Sequence, residues 1–138
     1  MPKDLATLEH RALLRTIDSN TSLIAYTDGS LLEGKAGAGI YISGGGIQPE
    51  KRFAFVGDQC EVFDAELSAI HRALTRMADL LDTTPRRIRR LWLFSDSQAA
   101  LQRLQHQRYG PGHGMATLIH QQVNMLYYRH RIPVNIHW

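Results

Sequence analysis

The 138-residue sequence predicts an α/β fold: a mixed five-stranded sheet, with strands 1–3 antiparallel and strands 4 and 5 parallel, flanked by helices. Three observations predict it. Apolar runs at 23–28, 37–43 and 51–56 are joined by short Gly-rich connections, which implies an antiparallel meander. Between Asp64 and Leu81, the apolar positions Leu67, Ile70, Leu74, Met77 and Leu81 follow the 3–4–3–4 spacing of an amphipathic helix. From there on helices and strands alternate, and that order needs parallel neighbours in the sheet.

The elements follow in turn. Residues 4–18 read as a short helix with Leu5, Leu8, Ala12 and Ile17 on one face, and "NTS" breaks it. "LIAYTD" is the first strand; "EGKAGAGIYISGGG" holds the second, and its glycines close a hairpin onto "KRFAFV", the third. The long helix ends at "TTP". "RLWLF" at 90–94 is a near-continuous apolar strand, the kind buried on both faces. A helix begins near Ser97 with Ala100, Leu101 and Leu104, and "RYGPGHG" is a loop with His113 facing solvent. A last helix over 115–129 carries Met115, Leu118, Ile119, Val123 and Leu126, and "RIPVNIHW" is the fifth strand. The expected organisation is a helical extension over 1–22 and the α/β domain over 23–138.

Composition narrows the function classes. The chain is 43% hydrophobic and 21% charged, the balance of a folded globular domain. It has no apolar run long enough to span a bilayer, and "MPKDLATLEHRALLRTIDSN" lacks the apolar core of a signal peptide. A single cysteine, Cys60, forms no internal disulfide and suits a reducing compartment, so an intracellular setting, cytoplasm or nucleus, is expected. Net charge is +3, with a pI near 9.3, which favours polyanionic partners. Arg86, Arg87, Arg89 and Arg90 cluster in "TPRRIRR", and Arg129 and Arg131 in "YYRHR"; a solvated edge is the plain reading of either cluster alone.

Two segments rhyme, "YTDGS" and "FSDSQ": each is an apolar strand, then a hydroxyl residue, then Asp. This places Asp28 and Asp96 at strand ends. A turn is a sufficient local reason for Asp28–Gly29, and capping of the next helix for Asp96. Glu66 in "VFDAELSAI" lies in the first turn of the long helix, where the dipole favours an acid, with Asp64 as N-cap. Packed across the strands, that helix brings three carboxylates to one end of the sheet. Such carboxylates repel one another, and a hard divalent cation with oxygen ligands resolves the conflict. The pattern therefore favours metal-dependent phosphoryl chemistry over a covalent nucleophile.

"IAYTDGSLLEGKAGAGIYI", "VFDAELSAIHRAL" and "LWLFSDSQAALQRL", in this order, resemble the ribonuclease H family, and within it the ribonuclease H domain of fungal-type non-LTR retrotransposon reverse transcriptases. The resemblance covers about residues 23–138. It implies hydrolysis of the RNA strand of an RNA–DNA hybrid with two Mg²⁺ or Mn²⁺ ions. It further implies that Asp28 bridges both ions, and that Glu66 and Asp96 hold the ion on the leaving-group side. Gly29, Ser30 and Gln98 fall where the family touches the RNA strand, and a 2′-OH contact there separates RNA from DNA. A parent reverse transcriptase polypeptide is the implied context.

The family's pattern continues past a strand like "VNIHW" into a Pro-Gly-His loop and a helix bearing a fourth acid. The chain stops at Trp138, so an apparent truncation and weakened water activation are expected. Pro111-Gly112-His113 mimics the loop but precedes the last helix. Two other classes compete with a metal-dependent nuclease: a non-catalytic nucleic-acid-binding module gripping phosphates through its arginines, and an interaction protein whose exposed terminal strand recruits a second chain.

Overall fold

The computed structural model describes residues 3–32, 35–58, 62–83, 87–105 and 113–137. Strands β1 (Ser22–Leu32), β2 (Lys35–Gly44) and β3 (Glu50–Asp58) form the antiparallel half of the sheet, and β4 (Arg90–Ser95) and β5 (Val134–His137) the parallel half. The order across the sheet is β3-β2-β1-β4-β5. β1 is central because both chain directions meet on it: β2 returns by a hairpin, while β4 comes back through the helix α2 (Val62–Thr83), a crossover long enough for a parallel strand. The mixed, helix-covered sheet is the predicted fold. Strands β1 to β4 extend beyond their apolar runs, because ladder pairing continues where the side chains turn polar, whereas β5 is shorter than the expected stretch and starts after Pro133.

Alternation along β1 sorts the sheet into two faces. Leu23, Ala25 and Thr27 face α2, with Ile40 and Ile42 from β2 and Leu91 and Leu93 from β4 on the same side. Against them α2 presents Leu67, Ile70, Ala73, Leu74 and Met77, all fully buried. Each large aliphatic side chain there contributes about 1.5–3 kcal/mol by leaving water. Two further helices, α3 (Gln98–Gln105) and α4 (His113–His130), close this core with Ala100, Leu104, Ala116, Ile119 and Leu126. α4 begins at His113, so that residue opens the helix instead of ending the loop, and residues 106–112 lie outside the described part of the chain. Leu118, expected on the apolar side of α4, is exposed; Ala116 takes the inward position three residues before Ile119.

The opposite face carries Ile24, Tyr26, Trp92 and Phe94, and α1 (Lys3–Thr16) covers it with Leu13, Leu14 and, just past its end, Ile17. The expected stripe is corrected: Leu8 and Ala12 point to solvent, and His10 lies inward, its Nε2 hydrogen-bonded to the Tyr26 hydroxyl at 2.8 Å. The inward residues 10, 13, 14 and 17 keep helical spacing, but the buried face is rotated from the one that Leu8 marks, because His10 finds a hydrogen-bond partner in Tyr26.

The Gly44–Gly46 run closes the β2–β3 hairpin with three positive φ angles (95°, 59° and 74°), a backbone that side chains with a Cβ rarely adopt. At the end of α4, Arg131 also takes a positive φ, 57°. Its N–H donates to the Tyr127 carbonyl (2.8 Å), the 5→1 bond of an αL cap that usually uses glycine, and the Ile132 N–H donates to the Leu126 carbonyl (3.5 Å).

Candidate metal centre

Strand register brings the two aspartates side by side. β1 and β4 run parallel with Thr27 opposite Ser95, so the residues after them, Asp28 and Asp96, leave neighbouring strands at the same level. Their hydroxyl predecessors are buried. The Thr27 hydroxyl donates to the Phe94 carbonyl (3.4 Å), tying the two strands together. The Ser95 Oγ accepts the Ser97 N–H (3.1 Å), turning the chain as soon as Asp96 has passed. This is the physical content of the rhyme between "YTDGS" and "FSDSQ": a buried hydroxyl before each acid anchors the strand that presents it.

Two local expectations change. β1 continues four residues beyond Asp28 and stays paired with β2, so Asp28–Gly29 is strand and not a turn. The side chain that caps α3 is Ser97, whose Oγ accepts the Ala100 N–H at 3.2 Å, so capping does not account for Asp96.

Glu66 enters from above the sheet. α2 begins at Val62, two residues before the expected N-cap, which puts Asp64 inside the first turn and Glu66 at its end. The helix comes down on β1 at Gly29, where a Cβ would stand 2.5 Å from the Glu66 nitrogen and 2.7 Å from the Ala65 carbonyl carbon. Only a glycine admits that approach. The Gly29 N–H donates to the Glu66 carboxylate. Sequence reading assigned Gly29 to substrate contact alone; its packing role was missed, because the approaching backbone comes from a distant segment.

The result is a cluster in which Asp28, Glu66 and Asp96 each offer an oxygen within 4.8 Å of the others. The aspartates are exposed; Glu66 is only 6% exposed. Burial pushes the Glu66 carboxyl up to about 7, the Asp96 and Asp28 charges push the same way, and the Gly29 N–H opposes them. Asp28 is also shifted upward, first by burial and then by Asp96. Glu66 Oε2 is buried with no hydrogen-bond partner. A buried carboxylate oxygen without a donor is costly, and a hard cation is the partner that an all-oxygen donor set fits. Ser30 is exposed on the same face as Asp28, and Gln98 is exposed on the first turn of α3. Both thus border the cluster in sequence and stand open to solvent.

Two features lie away from the acids. A cavity of about 650 Å³ between β3, α2 and α4, lined by Arg52, Phe53, Ser68, His71, Arg72 and Arg76 among others, holds none of the three. The exposed arginines Arg87, Arg89 and Arg90 precede the core of β4 and so sit at the opposite end of the sheet from Asp96.

No protein-family model and no curated protein sequence matches the chain. Solved structures do match. The RNase H1 of Halobacterium salinarum NRC-1 aligns with a TM-score of 0.61 at 18% identity, over 85% of each chain. LC11-RNase H1, solved in complex with an RNA/DNA hybrid, aligns with a TM-score of 0.63 at 19% identity, over 84% of each chain. The N-terminal RNase H domain of a Mycobacterium tuberculosis protein aligns with a TM-score of 0.63 at 12% identity, over 85% of this chain and 86% of that one. With sequence identity this low it is the fold that is shared: the chain has the ribonuclease H fold, with three acids gathered at one end of its sheet.

Proposed function

We propose that the chain is a divalent-metal-dependent endonuclease of the ribonuclease H type, hydrolysing the RNA strand of RNA–DNA hybrids with two Mg²⁺ or Mn²⁺ ions. One observation carries the reading: a buried, partnerless Glu66 oxygen inside a three-carboxylate cluster. The hybrid bound to one structural neighbour supports the substrate class. The motif wording supports the retrotransposon-type subgroup, and with it a parent reverse transcriptase polypeptide and an intracellular setting.

In this reading Asp28, Glu66 and Asp96 would hold the ions. Bound divalent ions supply a polarised water and neutralise charge that builds on the phosphate. The chain's own residues provide position. Gly29 holds the Glu66 carboxylate through its N–H, and its lack of a side chain lets α2 seat against β1. The Thr27 and Ser95 hydroxyls fix the strands from which Asp28 and Asp96 project. The exposed Asp28, Asp96, Ser30 and Gln98 form the side open to a nucleic acid, and Gly29, Ser30 and Gln98 are assigned to the RNA strand.

The test is cleavage of an end-labelled RNA–DNA hybrid in Mg²⁺ and in Mn²⁺, with an all-DNA duplex and a chelator as controls. The expected result is cutting of the RNA strand only, abolished by chelation and lowered at least 100-fold by Asp28→Asn. Tight hybrid binding without cleavage in either ion would overturn the enzymatic reading and leave a non-catalytic nucleic-acid-binding module.

A further inference from the structure

The two arginine clusters, separate in sequence, meet in space. β4 and β5 are parallel with Leu91 opposite Val134, and the Leu91 N–H donates to the Pro133 carbonyl (3.3 Å). The residues just before each strand are therefore brought to one pole of the sheet. Arg87, Arg89 and Arg90 arrive there on one segment, Arg129 and Arg131 on the other, all five exposed. None of the five is in an ion pair among the described residues. Among the described residues, the acids on adjoining segments are Asp82, 3.9 Å from His130, and Asp18, whose Oδ1 accepts the Asn20 N–H in the turn that leads to Thr21, the acceptor of the Arg89 N–H. Two exposed tyrosines, Tyr127 and Tyr128, stand beside the arginines in edge contact, ring centres 5.6 Å apart.

Local structure does not account for this concentration. A helix C-terminus favours a cation in its last turn, which covers Arg129 on α4, but α2 has no basic residue in its last turn and Arg87, Arg89 and Arg90 belong to no helix. Arg131 holds a left-handed backbone where glycine would cost less, by about 1 kcal/mol.

We propose that this arginine pole is a second docking surface for the phosphate backbone of a nucleic acid, distinct from the carboxylate end. Five exposed guanidiniums, in no ion pair among the described residues, together with two exposed tyrosines next to Arg129 in sequence, match the chemistry of phosphates and sugars. The pole lies about 20 Å from Asp96, the length of β4 at about 3.3 Å per residue. At about 3.4 Å per base step, a duplex reaching both ends must extend about six base pairs beyond the acids. The proposal rests on the hybrid-cleaving reading only for the identity of the duplex; the docking is electrostatic and needs no cleavage.

The experiment measures binding of a 24-base-pair RNA–DNA hybrid to the full chain, with chelator present, across a salt series. A pole variant, Arg89→Gln/Arg90→Gln/Arg129→Gln, is compared with a charge-matched control, Lys51→Gln/Arg52→Gln/Arg72→Gln, and melting curves establish that both fold. The pole variant is expected to bind at least tenfold more weakly at low salt. The slope of log K against log salt should fall by about 2–3, since each lost phosphate contact removes about 0.7–0.9. The control should keep most of its affinity. In the cleavage assay the pole variant should raise KM and leave kcat unchanged. Equal losses in both variants would reduce the effect to net charge and overturn the proposal, as would unchanged hybrid binding in the pole variant, including the case where binding to phosphatidylserine vesicles is what it loses. Cleavage that persists while pole binding fails rejects the pole alone, whereas pole binding without cleavage rejects the enzymatic reading alone.

Discussion

Gly29 and Glu66 touch through their backbones, and that contact carries the acid into the cluster: a Cβ on residue 29 would meet the first turn of α2 at 2.5 Å from the Glu66 nitrogen. Gly29→Ala must push α2 away from β1 or bend the strand. Overpacking of this kind costs about 1–3 kcal/mol. Thermal melting should show that loss, and a Mn²⁺ titration should show weakened binding even where the fold survives. An alanine variant with unaltered melting and Mn²⁺ affinity would mean that the close approach is not what seats Glu66.

Glu66 should make stability depend on pH. Its carboxyl titrates near 7 in the folded chain against 4.5 as the ordinary value. A raised pKa means that the folded state holds the proton more tightly, so this group's stabilisation is full below about pH 4.5 and is lost as pH rises through about 7. The span corresponds to roughly 3 kcal/mol. Asp28 acts in the same sense, while His10 and His71, pushed down by burial, act in the opposite one. The readout is therefore the difference between wild type and Glu66→Gln in chelator. The variant should gain on wild type between pH 5 and pH 8, and a constant difference across that range would contradict the shift.

Divalent metal should reverse that loss. An ion held by Asp28, Glu66 and Asp96 competes with the proton on Glu66, so Mg²⁺ or Mn²⁺ should raise the melting temperature more at pH 8 than at pH 5.5. At ten times its Kd the ion adds about 1.4 kcal/mol, a shift of about 5 °C for a chain of this size. Asp28→Asn should remove most of the response. Calorimetric scans with and without metal, at both pH values, decide it.

The α1 helix should behave as part of the folded core. Leu14 packs with Leu13 and Ile17 on the face that carries Ile24, Trp92 and Phe94. Leu14→Asp places a charge on that face and should cost roughly 2–4 kcal/mol. Trp92, buried in wild type, should then emit at longer wavelength. Unchanged emission and melting would show that α1 is not seated there.

Much of this was legible in the chain itself. The 3–4–3–4 spacing from Leu67 to Leu81 required a helix, and the apolar runs around "YTDGS" and "FSDSQ" required strands, because side-chain periodicity is a local consequence of backbone geometry. The residue types Asp28, Glu66 and Asp96 also pointed to metal chemistry, since oxygen ligands in numbers have few other uses. Phase was less legible: α1 turns His10 inward and Leu8 outward, because the fit of the helix against Tyr26 and Phe94 outweighs the hydrophobicity of one side chain.

What only the tertiary structure decided are the meetings between distant segments. Gly29 admits α2, and so Glu66, because of a backbone 37 residues further along. Asp28 and Asp96 stand level because β1 and β4 are in register. The arginines of "RRIRR" and "YYRHR" share a pole because β4 and β5 are parallel. Periodicity is written in neighbouring residues, whereas register and close approach are set by which surfaces bury each other. That is why the sequence named the acids and the arginines, and the fold determined that they occupy opposite ends of one sheet.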